Sequence, residues 1–350
     1  MKFAFRTDAA TSIGSGHVMR CLTLARVLAE KSHDCRFVCR DLPGNLNDKI
    51  AIEFPVVILP RGDGVEVDWQ ADALKTAASV GEVDWLLVDH YELDARWEKA
   101  VRPCAKRLIV LDDLADRPHA CNLLLDQSLG RRPDDYSAFV THDTQLLLGP
   151  EYALLRPEFS AQRSQSLVGR NRRSIRNLLV VMGGFDADNT IGAILQAIAN
   201  LQDAKLYEVS VAISSRATHL ESLRSETARM PCKTSLRVDE TDMAGLMKWA
   251  DVAISASGLT AYELACMGVP MILLPVSAIQ LRVANELSQI AEAVALVGWQ
   301  EDPANRIGIA LADILTRLST LAPESRRVAT AFDGLGAIRV AEKMCEEHNV

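Results

Sequence analysis

The stretch Asp251-Val252-Ala253-Ile254-Ser255-Ala256-Ser257-Gly258-Leu259-Thr260-Ala261-Tyr262-Glu263-Leu264-Ala265-Cys266-Met267-Gly268-Val269-Pro270-Met271-Ile272-Leu273-Leu274-Pro275 decides the fold class. A short apolar run breaks at a Ser-Gly loop, continues as two to three turns of helical pattern, and resumes as a second apolar run. Gly268 just past the helix and Pro270 beyond it are ordinary helix stop signals. Two apolar runs joined by a helix make one βαβ unit, whose strands are parallel and covered by helices.

The same alternation fills the chain. Strand-like runs fall at 2–6, 35–39, 56–59, 85–88, 107–111 and 144–148, and a second series at 177–182, 208–213, 252–255, 271–275 and 293–297. This predicts an α/β protein with two Rossmann-like, doubly wound domains. Each half opens alike: a strand, a glycine-containing loop (Gly14-Ser15-Gly16; Gly183-Gly184) and an amphipathic helix (17–30; 190–201). The polar, basic segment 159–173 shows no periodicity and is the predicted linker, so the expected domains are 1–158 and 174–350, the last helix being free to pack back on the first. Two such domains facing each other would leave a ligand cleft at the carboxyl ends of both sheets.

Composition bounds the function. The 350 residues suggest two domains at roughly 150 each, with 49% hydrophobic and 24% charged residues as in ordinary globular chains. With 38 Lys and Arg against 46 Asp and Glu, the formal net charge is −8, which lacks the footprint of nonspecific nucleic-acid binding. No run approaches the roughly 18 apolar residues of a membrane helix. The first eight residues reach charge too early for a secretory signal, so the cytoplasm is the expected location. Eight cysteines without a CxxC pair read as buried thiols, and seven histidines without HxH or HxxxH spacing predict no metal site. No cofactor is expected.

Three places carry chemistry. The loop from Asp8 to Gly16 resembles GxGxxG, but Met19 occupies the third glycine position and no GK[ST] follows. What remains is a backbone-rich turn at a helix N-terminus, suited to an anionic ligand. His17 lies in that helix's first turn, where the positive helix end disfavours imidazolium and leaves a ring able to act as general base; a merely capping or polar histidine explains the position equally well. Asp8, Asp89 and Tyr91 stand near strand ends, where they would line the sugar pocket implied by the family resemblance given below, although Asp89 reads equally as a carboxylate binding backbone amides. In the third place, Ser257, Gly258 and the following amides would hold a diphosphate, and Glu263 would accept both hydroxyls of a ribose. A solvated glutamate in an ordinary βαβ unit is the bland alternative.

Taken together, Ser15-Gly16-His17-Val18-Met19-Arg20-Cys21-Leu22, Val88-Asp89-His90-Tyr91, Tyr152-Ala153-Leu154-Leu155-Arg156-Pro157-Glu158-Phe159, Ser257-Gly258-Leu259-Thr260-Ala261-Tyr262-Glu263 and Asp333-Gly334-Leu335-Gly336-Ala337 resemble the UDP-2,4-diacetamido-2,4,6-trideoxy-β-L-altropyranose hydrolases. That family serves pseudaminic acid synthesis, hence flagellin glycosylation, and is related to the GT-B transferase of peptidoglycan synthesis. The resemblance implies a GT-B-like fold and a UDP-sugar substrate whose anomeric bond to UDP is cleaved by water. It implies that His17 activates or positions the water and Glu263 binds the ribose. Ser257, Gly258, Leu259, Thr260 and the Gly183-Gly184 loop would lie against the diphosphate, and Arg156 would reach toward phosphate. The family's Glu-Asn-Gln after the following strand is here Ala278-Ile279-Gln280; Gln280 is retained beside the expected sugar. A glycosyltransferase of the same fold, a catalytically silent nucleotide-sugar binder and, more remotely, a dehydrogenase are the competing readings. Neither nucleic acid nor membrane is an expected partner.

Overall fold

The structure, a computed structural model, describes residues 1–61, 67–170, 175–291, 293–297 and 303–346. The chain divides into two compact units, Met1–Leu154 with Leu335–Val350, and Leu155–Gly334.

In the first unit the order is β1 (Lys2–Thr7), α1 (Gly16–Glu30), β2 (Asp34–Arg40), α2 (Asn47–Ala51), β3 (Val56–Leu59), α3 (Trp69–Val80), β4 (Val83–Asp89), α4 (Ala95–Val101), β5 (Ala105–Leu111), β6 (Leu123–Asp126) and β7 (Gln145–Leu148). The second unit holds α5 (Pro157–Gly169), β8 (Asn177–Val181), α6 (Thr190–Ala199), β9 (Glu208–Ile213), α7 (Leu220–Ala228), β10 (Lys233–Val238), α8 (Met243–Trp249), β11 (Val252–Ser255), α9 (Leu259–Cys266), β12 (Met271–Leu273), α10 (Ala278–Ile290), β13 (Val294–Leu296), α11 (Pro303–Thr316) and α12 (Leu318–Ala331). The last helix, α13 (Gly336–Glu346), belongs to the first unit.

Both sheets are parallel, in the orders β3-β2-β1-β4-β5-β6-β7 and β10-β9-β8-β11-β12-β13. Each is a doubly wound α/β sheet, the class read from the sequence. Alternate β1 residues serve opposite faces. Phe3 and Phe5 pack with Leu22 and Leu28 of α1 and with Val340 and Met344 of α13. Ala4 lies with Leu86, Val88 and Trp97 on the other face. The second unit's core joins Leu178, Val180, Ile194, Val211 and Ile254. The Trp85 indole donates to Met344 O at 3.0 Å, and Gly336 presses on the backbone of Tyr152 and Ala153, binding α13 to the first unit.

One expectation fails. Most of the segment read as a linker is helix α5, and only 171–173 of it lie outside the described residues. Its polar residues are spent on backbone carbonyls: Arg163 donates to Ala329 and Phe332, Ser166 to Met267, and Arg170 to Met247. Cations at helix C-termini complete carbonyls that otherwise lack donors. Such a helix needs no broad apolar stripe, which is why periodicity missed it.

Candidate active site

Each sheet reverses its winding once, between β1 and β4 and between β8 and β11. Ligands of doubly wound sheets bind beyond the strands' carboxyl ends at such points. At the first, Gly14 (φ +87°) closes a turn in which its N–H donates to Ala10 O at 2.7 Å, and Gly16 then opens α1. The turn sets His17, 7% exposed, above the end of β4.

Asp89 terminates β4 and fixes that histidine. Its Oδ1 lies 2.6 Å from His17 Nδ1 and 2.5 Å from one Arg20 nitrogen, while Oδ2 accepts from Arg20 Nε at 2.6 Å. Burial alone would push this carboxyl up, but Arg20 and His17 together hold it well below the usual carboxylate range. An ionised carboxylate only accepts, so Nδ1 carries the proton; the 3.1 Å approach of Arg20 to the same Nδ1 is then a contact between donors. In the neutral ring Nε2 would then keep its lone pair. The Tyr91 ring meets His17 edge-on at 4.6 Å, and its hydroxyl lies 3.5 Å from Asp113, which also accepts from Arg20 at 3.1 Å. Burial raises the Tyr91 phenol, so it stays neutral.

Two sequence readings are corrected here. Asp8 is not open to a sugar: it accepts from the Arg40 backbone N–H and Nε at 2.7 Å each, and pairs with Arg6 and with His90 at 3.2 Å. Its role is to hold Arg40 and His90. His90 accepts from Glu92 N–H on Nδ1, and burial pushes its pKa down, so a neutral ring donates Nε2–H to Asp8 and locks the Asp89-His90-Tyr91 turn. Asp89, for its part, accepts from no backbone N–H among the described residues; it pairs with His17 and Arg20. Arg20 and Asp113 escaped sequence reasoning altogether. The signal for Arg20 was an arginine three residues after His17, on the same helix face and among apolar neighbours.

At the second switch point, Gly183 (φ +86°) and Gly184 follow β8, and Ser257 and Gly258 follow β11. Helix α9 starts at Leu259 and Thr260 with no side-chain cap. Ser257 Oγ is buried with no hydrogen-bond partner among the described residues, and a Cβ on Gly258 would meet nothing within 4 Å. A helix N-terminus, an unpartnered hydroxyl and open space together suit an anionic ligand. By contrast, the first amides of α6 are already taken by Asp186, which accepts from Thr190 and Ile191 N–H. Glu263 sits one turn into α9, buried, with Oε1 3.3 Å from Arg156. Burial raises its carboxyl to about 7 against the opposing pull of Arg156. Arg156 also pairs with Glu158 at 2.9 Å, so in this arrangement it meets two carboxylates. Gln280 lies in the first turn of α10, its Oε1 accepting from Val276 N–H at 3.0 Å.

Among the described residues, no group of three or more His, Cys, Asp or Glu side chains is placed to hold a metal ion, and no helix is long and apolar enough to cross a membrane.

Comparison with known proteins gives the class first. Residues 177–337 match the glycosyltransferase family 28 C-terminal domain. The whole chain superposes on Acinetobacter baumannii MurG with a TM-score of 0.70 at 14% identity, covering 99% of each chain, and on Arabidopsis thaliana UGT89C1 in complex with UDP with a TM-score of 0.62 at 12% identity, covering 98% and 99%. The fold is therefore GT-B-like. The Campylobacter jejuni UDP-2,4-diacetamido-2,4,6-trideoxy-β-L-altropyranose hydrolase is 30% identical over 261 residues, 74% of this chain and 86% of its own. The chain belongs to that hydrolase's family.

Proposed function

We propose that the protein hydrolyses a UDP-linked 2,4-diacetamido-2,4,6-trideoxyhexose, with water attacking the anomeric carbon and UDP departing, as a step in pseudaminic acid synthesis. The observation that carries this reading is the His17–Asp89–Arg20 arrangement. A carboxylate pinned by arginine holds imidazole Nδ1–H, and Nε2 is left to take the proton of the attacking water. The C1–O bond to the β-phosphate breaks, the sugar keeps the water oxygen, and the bonding pair leaves on UDP. In the second unit, Ser257, Gly258 and the first amides of α9, with the Gly183-Gly184 loop, would carry the diphosphate. Glu263, once ionised, would accept both ribose hydroxyls. A good leaving group makes orientation and base catalysis the main demands.

Incubation of the UDP-sugar in H₂¹⁸O without acceptor tests this. The expected result is free sugar labelled at C1 and unlabelled UDP. Label in UDP would mean attack at phosphorus. No turnover without an added acceptor would favour the transferase, whose fold is shared.

A further inference from the structure

Arg156 stands between two carboxylates in unlike surroundings. One terminal nitrogen lies 2.9 Å from Glu158 in the first turn of α5, which is 36% exposed. The other lies 3.3 Å from buried Glu263. The guanidinium lies 5.0 Å above the Phe159 ring, which restrains its plane. One cation cannot neutralise two carboxylates, and the buried one bears the larger cost of remaining ionised. Here the exposed partner holds the shorter contact.

We propose that Glu158 is a positioning residue that draws Arg156 off Glu263, and thereby couples capture of a uridine nucleotide at α9 to loss of a proton from Glu263. This rests on the reading of Glu263 as the ribose acceptor. Neighbouring hydroxyls need two acceptor oxygens, which only the ionised carboxylate offers; the protonated form has one acceptor and one donor. Burial brings the Glu263 carboxyl to about 7, and the Glu158 charge adds to the rise. Other ionisable groups near the C-terminal end of α9 include Arg163 of α5, which donates to the Ala329 and Phe332 carbonyls, Asp333 after α12, and Cys266, whose thiol burial pushes to about 12. These are common to every variant compared below.

The probe is UDP-N-acetylglucosamine, whose diphosphate diester does not titrate near neutrality, followed by calorimetry from pH 5.5 to 8.5. With a midpoint near 7, the ionised fraction rises about tenfold between pH 6 and pH 8, and native affinity should rise about tenfold with it. Glu158→Gln should move the midpoint to lower pH, tightening binding at pH 6 and leaving it within about twofold at pH 8.5. Glu263→Gln should bind weakly at every pH. A flat native profile with a weak Glu263→Gln variant overturns the proton coupling and spares the ribose reading. Native affinity in Glu263→Gln overturns the ribose reading and the proposal with it. An unmoved midpoint in Glu158→Gln refutes the role given to Glu158.

Discussion

Replacing Asp89 by asparagine tests the arrangement on which the proposed hydrolysis rests. The native carboxylate accepts from His17 Nδ1 at 2.6 Å and from two Arg20 nitrogens at 2.5 and 2.6 Å. Asparagine offers one carbonyl and one NH₂. With the carbonyl turned to Arg20, the NH₂ faces Nδ1, the ring adopts the other tautomer, and Nε2 becomes a donor with no lone pair for water. General-base help is worth about 10²–10⁴-fold, so kcat should fall by that factor, roughly 3–5 kcal/mol of transition-state stabilisation. Affinity for UDP should stay within about twofold, since no nucleotide-binding group is touched. Asp113, at 3.1 Å, would be the one carboxylate Arg20 keeps, and removing a partner from a buried charge costs up to about 3–5 kcal/mol of stability. Asp89→Asn is therefore paired with the double variant Arg20→Met/Asp89→Asn, which strands no charge on Arg20 and should regain much of the melting temperature while remaining inactive. UDP release at saturating substrate, with thermal unfolding of the same samples, decides the matter. A folded Asp89→Asn protein turning over within threefold of native would refute the argument.

His17→Ala should abolish turnover and leave UDP affinity nearly intact, measured by calorimetry beside the rate. Glu263→Gln should weaken UDP binding by about 1–3 kcal/mol. In the ligand-free protein it should act oppositely: a carboxyl raised from 4.5 to about 7 contributes stability that is complete below the unfolded value and lost as pH rises through 7. Denaturation at pH 8 should therefore find ligand-free Glu263→Gln more stable by up to roughly 3 kcal/mol, and an unchanged midpoint would contradict this. Asp8 and Asp89 are held below the carboxylate range, so their contribution is complete above about pH 3.9 and lost as pH falls below it; calorimetry between pH 5 and 2 should show a falling melting temperature with a shallower slope in Asp89→Asn. Gly336→Ala would put a Cβ 2.3 Å from Ala153 O, which is backbone and cannot yield, and should destabilise by about 1–3 kcal/mol in urea unfolding.

The strands legible in the sequence were those buried on both faces, such as 208–213 and 252–255, because a continuous apolar run has few other homes. Edge strand β10 was not legible: Lys233-Thr234-Ser235-Leu236-Arg237-Val238 covers the core only partly and carries polar side chains. Strand β6, Leu123–Asp126, was missed as well. His17 and Glu263 were singled out because helix position constrains what they can do. Asp89 and Arg20 are 69 residues apart in the chain, and only the β1–β4 pairing brings α1 over the end of β4. Asp8 misled because a carboxylate at a strand end looks alike whether it faces a ligand or Arg6 and Arg40, and those partners come from β1 and β2 side chains whose directions a sequence does not give.

The two switch points share a sheet order and differ in electrostatics, which bears on the formal charge of −8. In the first unit the carboxylates are met by arginines and kept ionised, Asp89 by Arg20 and Asp8 by Arg6 and Arg40. Such a network pairs its charges before any ligand arrives, and fixed dipoles and charges cost no reorganisation at the moment of reaction. Among the described residues of the second unit, Ser257 Oγ lacks a hydrogen-bond partner, α9 lacks a side-chain cap, and Glu263 shares one arginine with Glu158. Groups left unsatisfied gain most when a ligand supplies what is missing, which suits reversible capture and release. Arg20 and Arg156 are both paired with carboxylates, so in the second unit the proposed diphosphate would be met chiefly by backbone N–H groups at α9 and the Gly183-Gly184 loop. Attraction of that kind is short-ranged, and it would work in a protein whose overall charge has the same sign as the proposed ligand.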